Sequence, residues 1–189
     1  MADYFVLDWD AGATIVGHIV DSSARSLANR LIRGRPLAAD LTGAGLEVRV
    51  EVAPQAGYPD YFTLQQVPIV SERLLSALRP FSQSFEVFPA PIVQRTGVVN
   101  GHSVLNIVGR VACLDRIASE LTFIDDDSDV ILRIRKLMLD ETKLDEFDIS
   151  RLHDFEPLVL ASTQVRRALD GLTGVAILPA NGWSDSSWY

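Results

Sequence analysis

The hydrophobic and polar positions of this chain fall into one pattern twice. Residues 67–91 read V-P-I-V-S-E-R-L-L-S-A-L-R-P-F-S-Q-S-F-E-V-F-P-A-P, and residues 156–181 read E-P-L-V-L-A-S-T-Q-V-R-R-A-L-D-G-L-T-G-V-A-I-L-P-A-N. Each has a proline, a short apolar run, a serine, a helical spacing of apolar residues, a turn and a strand ending at proline. Ser71 aligns with Ser162, Leu74 with Val165, Ala77-Leu78 with Ala168-Leu169, and Phe85–Pro89 with Val175–Pro179. Serine is a good helix N-cap because its hydroxyl accepts from an orphan backbone N–H. Apolar residues three and four apart then form one buried stripe. The pattern predicts a strand–helix–strand module used twice, with Leu74, Leu78, Val165 and Leu169 in the core.

Elsewhere the pattern predicts mainly strands. Tyr4-Phe5-Val6-Leu7 reads as an opening strand. Residues 22–33 carry Leu27, Leu31 and Ile32 at helical spacing, and Arg33-Gly34-Arg35-Pro36 breaks the run. Leu46 to Val52 alternates strictly, as a half-buried strand does. Val104 to Val111 is a further strand. Leu121–Ile124 and Val130–Ile134 flank Asp125-Asp126-Asp127-Ser128-Asp129, which predicts a hairpin with an acidic turn. Asp140 to Asp148 reads as an acidic connection, followed by a short run at Ile149 to Leu152. The expected class is α+β: a mixed, mainly antiparallel sheet with a few short helices and the duplicated module.

Charge sharpens this picture. The chain of 189 residues carries a net charge of −8. Residues 115–156 hold 13 acidic and 6 basic groups, and the rest of the chain is close to neutral. Such a field repels nucleic acid and attracts a basic partner, or else it is a solvated face that keeps the protein in solution. One cysteine, Cys113, excludes an internal disulfide framework. No stretch reaches the roughly 18 apolar residues of a membrane helix, and Asp3, Asp8 and Asp10 interrupt the first apolar run. The expected location is cytoplasmic, with no membrane partner.

Catalytic and metal chemistry find little support. His18, His102 and His153 are scattered, with no metal-ligand spacing. Cys113 lies in the apolar run Val111-Ala112-Cys113-Leu114, a setting for an inert thiol. Gly43-Ala44-Gly45 has Val48 where a dinucleotide fingerprint needs its third glycine. The Asp125–Asp129 run has Val130 where a calcium loop needs glycine and Lys136 where it needs glutamate. No catalytic residue, metal site or cofactor is expected. The tail holds Trp183, Trp188 and Tyr189 among small polar residues. These aromatics either dock onto the domain or form a contact patch.

A resemblance follows from Leu105-Asn106-Ile107-Val108, Val111–Asp115, Ile131–Leu139, Asp140-Glu141-Thr142-Lys143-Leu144 and Phe147–Leu152, together with the second module copy. In these residues the chain resembles the eleventh-numbered family of immunity proteins from bacterial polymorphic toxin systems, formerly a domain of unknown function. The likeness covers residues 67–182, leaving 1–66 as a variable N-terminal lobe and 183–189 as an aromatic tail. It implies a non-enzymatic cytoplasmic protein, encoded beside a toxin that it binds and blocks. The acidic segment suits a basic target, so a nuclease effector is the expected toxin class. The expected contact residues are Asp125, Asp126, Asp127, Asp129, Trp183, Trp188 and Tyr189. Two other readings stay open at this point. One is an enzyme that reverses a toxin's modification or degrades its product. The other is a homo-oligomeric structural or regulatory protein, a homodimer in the simplest case.

Overall fold

The structure, a computed structural model, describes residues 3–9, 15–20, 29–37, 46–54, 57–125, 127–144 and 147–185. It is mostly strand with a few short helices, in mixed sheets of a broadly α+β kind. Two sheets of matching build form its centre. The first runs β4 (Tyr61–Leu64), β5 (Val67–Ser71), β9 (His102–Ile107), β6 (Phe85–Pro89), all antiparallel. The second runs β10 (Arg110–Val111), β13 (Ile149–Leu152), β14 (Phe155–Ser162), β1 (Tyr4–Trp9), β15 (Val175–Pro179), antiparallel except for β10 with β13.

A short helix follows the second hairpin strand in each sheet. Helix α1 (Glu72–Leu78) starts at Ser71, whose Oγ accepts from Leu74 N at 3.2 Å. Helix α2 (Thr163–Ala168) starts at Ser162, whose Oγ accepts from Val165 N at 3.4 Å. Each serine also closes onto an aspartate at the head of the preceding strand. Ser71 Oγ donates to Asp60 Oδ1 at 2.7 Å, and Ser162 Oγ to Asp148 Oδ1 at 3.2 Å. The serine backbone N–H groups donate to the Asp60 and Asp148 carbonyls at 2.9 and 2.7 Å. The helix stripes are buried as their spacing predicts: Leu74, Leu78, Val165 and Leu169 are all at most 2% exposed.

The registers of the two sheets run in step. Ser71 faces His102 and Ile69 faces Val104 across β5 and β9; Ser162 faces Tyr4 and Leu160 faces Val6 across β14 and β1. On the far side of the central strands, Phe85 faces Ile107 and Pro89 faces Ser103, while Val175 faces Trp9 and Pro179 faces Phe5. Next along, Ala90 N donates to His102 O at 3.1 Å and Ala180 N to Tyr4 O at 3.0 Å.

Among the described residues, three apolar clusters follow from this layering. The central one lies between the sheets and joins Tyr61, Val70, Leu74, Leu78 and Leu105 to Leu7, Ile149, Ala161, Val165 and Leu169. The outer face of the first sheet is covered by β2 (Val16–Val20), β3 (Glu47–Val52), β7 (Ile92–Gln94) and β8 (Gly97–Val99). The outer face of the second is covered by an antiparallel pair, β11 (Glu120–Phe123) with β12 (Ile131–Lys136), and by residues 137–144.

Some expectations change. Of residues 1–66, expected as a variable lobe, β1 lies between β14 and β15 of the second sheet, and the boundary at residue 66 falls inside the β4–β5 hairpin. The strand expected over Val104–Val111 breaks at Val108-Gly109, whose N–H groups both donate to Ser84 O, at 2.8 and 3.0 Å. Of the helix expected over 22–33, residues 29–32 are helical and 21–28 lie outside the described residues. Gly34 ends that turn at φ +58°, pressed against Ile107 O and the Arg151 side chain where a Cβ would collide. Among the described residues, no helix is long and apolar enough to cross a membrane.

Candidate partner-binding surface

The β11–β12 ribbon is anchored on one face only. Ile131 and Ile134 are buried in the second outer cluster, while Leu132 between them points outward and is 57% exposed. Two isoleucines three apart break the period of two of a regular strand. The register slips here, with Thr122 opposite Arg133 and Phe123 opposite Ile131, so Leu132 is the bulged residue. The acidic turn above them is held by its own polar atoms. Asp125 Oδ1 accepts from Asp127 N at 3.2 Å, Ser128 Oγ from Val130 N at 3.0 Å, and Val130 O from Ile124 N at 3.1 Å. Those contacts spend backbone donors and leave the carboxylates facing water. Asp125, Asp127 and Asp129 are exposed, as the sequence leads one to expect, and Asp126 lies outside the described residues.

Sequence reasoning missed the apolar part of this surface. Ile117, Phe123, Ile124, Val130 and Leu132 are all exposed, Ile117 at 99%. They make up five of the ten exposed large hydrophobics among the described residues, within the same short stretch as the acids. Scattered exposed apolar residues are ordinary, but a cluster of them marks an interaction surface. Arg116 fastens the ribbon base to the second sheet, with Nη2 at 2.7 Å from Asp154 Oδ1 and Nη1 at 3.5 Å from Asp129 Oδ1. No local pattern in the sequence marks Leu132 as outward, because its exposure follows from the register slip between Thr122–Arg133 and Phe123–Ile131.

The tail aromatics divide. Trp183 docks: it is 5% exposed in the second outer cluster, and its carbonyl accepts from Leu137 N at 2.7 Å. A contact role for Trp183 is therefore corrected, because a ring this deep offers no surface to a partner. Trp188 and Tyr189 lie outside the described residues. Asp185, also buried, holds β12 from the same side: its carboxylate accepts from Arg133 Nε at 2.8 Å and Ile134 N at 2.9 Å. The tail thus clamps the ribbon from beneath, and the Asp turn and the Trp do not meet in one patch.

The other titratable groups stay apart from the ribbon. Cys113 is buried, and burial pushes its thiol up to about 12, so it holds its proton. His102 sits against the Tyr58 and Phe62 rings at 5.8 and 6.2 Å, and burial lowers its pKa. His18 lies 3.7 Å from Glu51 at the surface of the other covering sheet. Among the described residues, no group of three His, Cys, Asp or Glu side chains is placed to hold a metal ion. Comparison of the chain with models of known protein families and with curated proteins finds no match.

Proposed function

We propose that this protein is a cytoplasmic immunity protein that neutralises a cognate toxin, a basic nuclease effector, by stoichiometric binding through the β11–β12 ribbon. The observation that carries the reading is the coincidence of exposed apolar side chains with exposed carboxylates on the β11–β12 ribbon. Energetic protein interfaces combine an apolar centre with a polar rim, and opposite charge speeds encounter. Phe123, Ile124 and Leu132 supply the centre, and Asp125, Asp127 and Asp129 the rim. The test is binding kinetics against the toxin encoded by the neighbouring reading frame, at two salt concentrations. Replacing the three aspartates with asparagine slows association ~10-fold or more at low salt. Leu132→Ser speeds dissociation and leaves association unchanged. An unchanged, salt-insensitive association rate would make the turn a solubilising face. Dimerisation in light scattering that is lost with Leu132→Ser would turn the patch over to self-association.

The scaffold reading is a duplication. We infer that residues 3–99 and 102–185 descend from one module, each beginning with a strand that inserts into the sheet of the other. The step-for-step registers of β5-β9-β6 and β14-β1-β15 support this, as do the paired Asp–Ser caps. A rigid two-copy scaffold suits an occluding protein, because it holds one binding ribbon still.

A further inference from the structure

The two sheets fall out of step at one place. Counting from the capping serines, Pro68 pairs with Thr63 and Val159 with Arg151. In the first sheet Leu64 then pairs with Val67, and the hairpin closes over Gln65 and Gln66. In the second, Leu152 pairs with Phe155, so Glu156, Pro157 and Leu158 bulge from β14 with no register partner on β13. Bulges re-aim side chains and concentrate beside functional sites.

Four arginines converge on this bulge. Arg110 Nη1 lies 2.8 Å and Arg35 Nη2 3.5 Å from Glu156 Oε1, and Arg33 Nε lies 3.9 Å from Oε2. Beneath them Arg151, 2% exposed, donates to the carbonyls of Ile107, Glu156 and Leu31 at 2.8, 2.8 and 3.0 Å. Those acceptors carry no net charge. Thr63 holds the matching place in the first sheet, so strand pairing does not call for a guanidinium there. Arg110 Nη2 donates to Arg33 O, and Asn106 Nδ2 to Arg35 O, both at 2.8 Å. The backbone of both loop arginines is thereby fixed, while their side chains remain 64% and 51% exposed. Three guanidinium groups thus pair with the Glu156 carboxylate above the buried Arg151. The Glu86 carboxylate lies beside them, accepting from Asn106 Nδ2 at 2.9 Å, in a chain whose net charge is −8.

We propose that the bulge is a binding site for a small multivalent oxyanion, a phosphate ester or pyrophosphate, in which the Glu156 carboxylate stands as an internal competitor. Guanidinium forks match phosphate oxygens in pairs, and several forks aimed at one point favour a dianion over a single carboxylate. A long nucleic acid would also meet the field of the acidic segment, which confines the ligand to a small molecule.

Titration calorimetry of the full chain with pyrophosphate, at ionic strength held constant with chloride, tests this. Saturable binding is expected, strengthened roughly tenfold by Glu156→Gln because a like charge leaves the site. Arg33→Gln combined with Arg35→Gln abolishes it, with the circular dichroism spectrum unchanged. Absence of saturable heat in both the wild type and Glu156→Gln overturns the site, as does binding that survives in the double-arginine variant. A ten-nucleotide single strand that binds more tightly than pyrophosphate overturns the small-anion assignment.

Discussion

Asp60 and Ser71 show how much one pair of side chains settles. The Asp60 carboxylate accepts from Ser71 Oγ at 2.7 Å and from Thr173 N and Oγ1 at 2.9 and 3.1 Å, so it joins a helix cap to a loop of the other half. Burial pushes its pKa up, but the hydrogen bonds from Thr173 and Ser71 and the Arg73 charge outweigh that and hold it below the usual carboxylate value. Ser162 caps its helix in the same way but bonds Asp148 at the longer 3.2 Å. Losing an N-cap serine costs about 0.5–2 kcal/mol. Ser71→Ala is expected to lie at the upper end of that range and Ser162→Ala at the lower, as measured by urea denaturation. His102 gives a pH dependence. Burial lowers its pKa, against the pull of the Asn100 and Pro59 backbone and the Asp60 carboxylate. The unfolded chain then binds a proton more readily than the folded one, so stability is full above the unfolded value of about 6.5 and falls as pH drops toward the folded value. His102→Gln should flatten the stability slope between pH 7 and 5.5; an unchanged slope would place the titration elsewhere. Tyr58, the neighbouring phenol, is raised by burial and stays protonated throughout this range.

Elements were legible where a local rule dictated them. Ser71 and Ser162 announced both helices, and the alternation of Glu47–Val52 announced β3, with Val48 and Val50 buried. The β11–β12 hairpin was legible from its acidic turn. Strands β2, β4, β7 and β8 were not, because each is short and held by partners distant in sequence. Val16–Val20 pairs with Glu47–Val52, and Tyr61 N bonds Thr173 O at 3.1 Å. The ribbon was half legible: its charges could be counted, but the exposure of Leu132 follows from a register slip that only the strand pairing shows. Two tests belong at this scale. Leu78→Ala and Leu169→Ala each remove a fully buried side chain and should cost ~2–5 kcal/mol in denaturation experiments. Trp183→Ala should cost ~3–5 kcal/mol of stability and loosen the ribbon. It should show as faster hydrogen exchange at Leu137 N; a Trp183→Ala protein of wild-type stability would refute the clamp.

Over the whole molecule, strands distant in sequence interleave in both central sheets. β1 lies between β14 and β15, and β9 between β5 and β6. The serine caps were visible from residue 67 onward in Ser71 and Ser162, but the matching registers of Tyr4–Trp9 and His102–Ile107 were not, since only strand pairing reveals them. A protease site inserted at exposed Asn100, between β8 and β9, should therefore yield two fragments that travel together in size-exclusion chromatography until denaturant is added. Fragments that separate under native conditions would refute this interleaving. The same topology governs synthesis. Tyr4 finds its partner at Ser162, and Leu7 finds its second at Ile177. At roughly 5–20 residues per second a ribosome needs on the order of 10–30 s to travel between them. Through that interval β1 is an open edge on a nascent chain, so a message truncated before β14 leaves it without a sheet to enter.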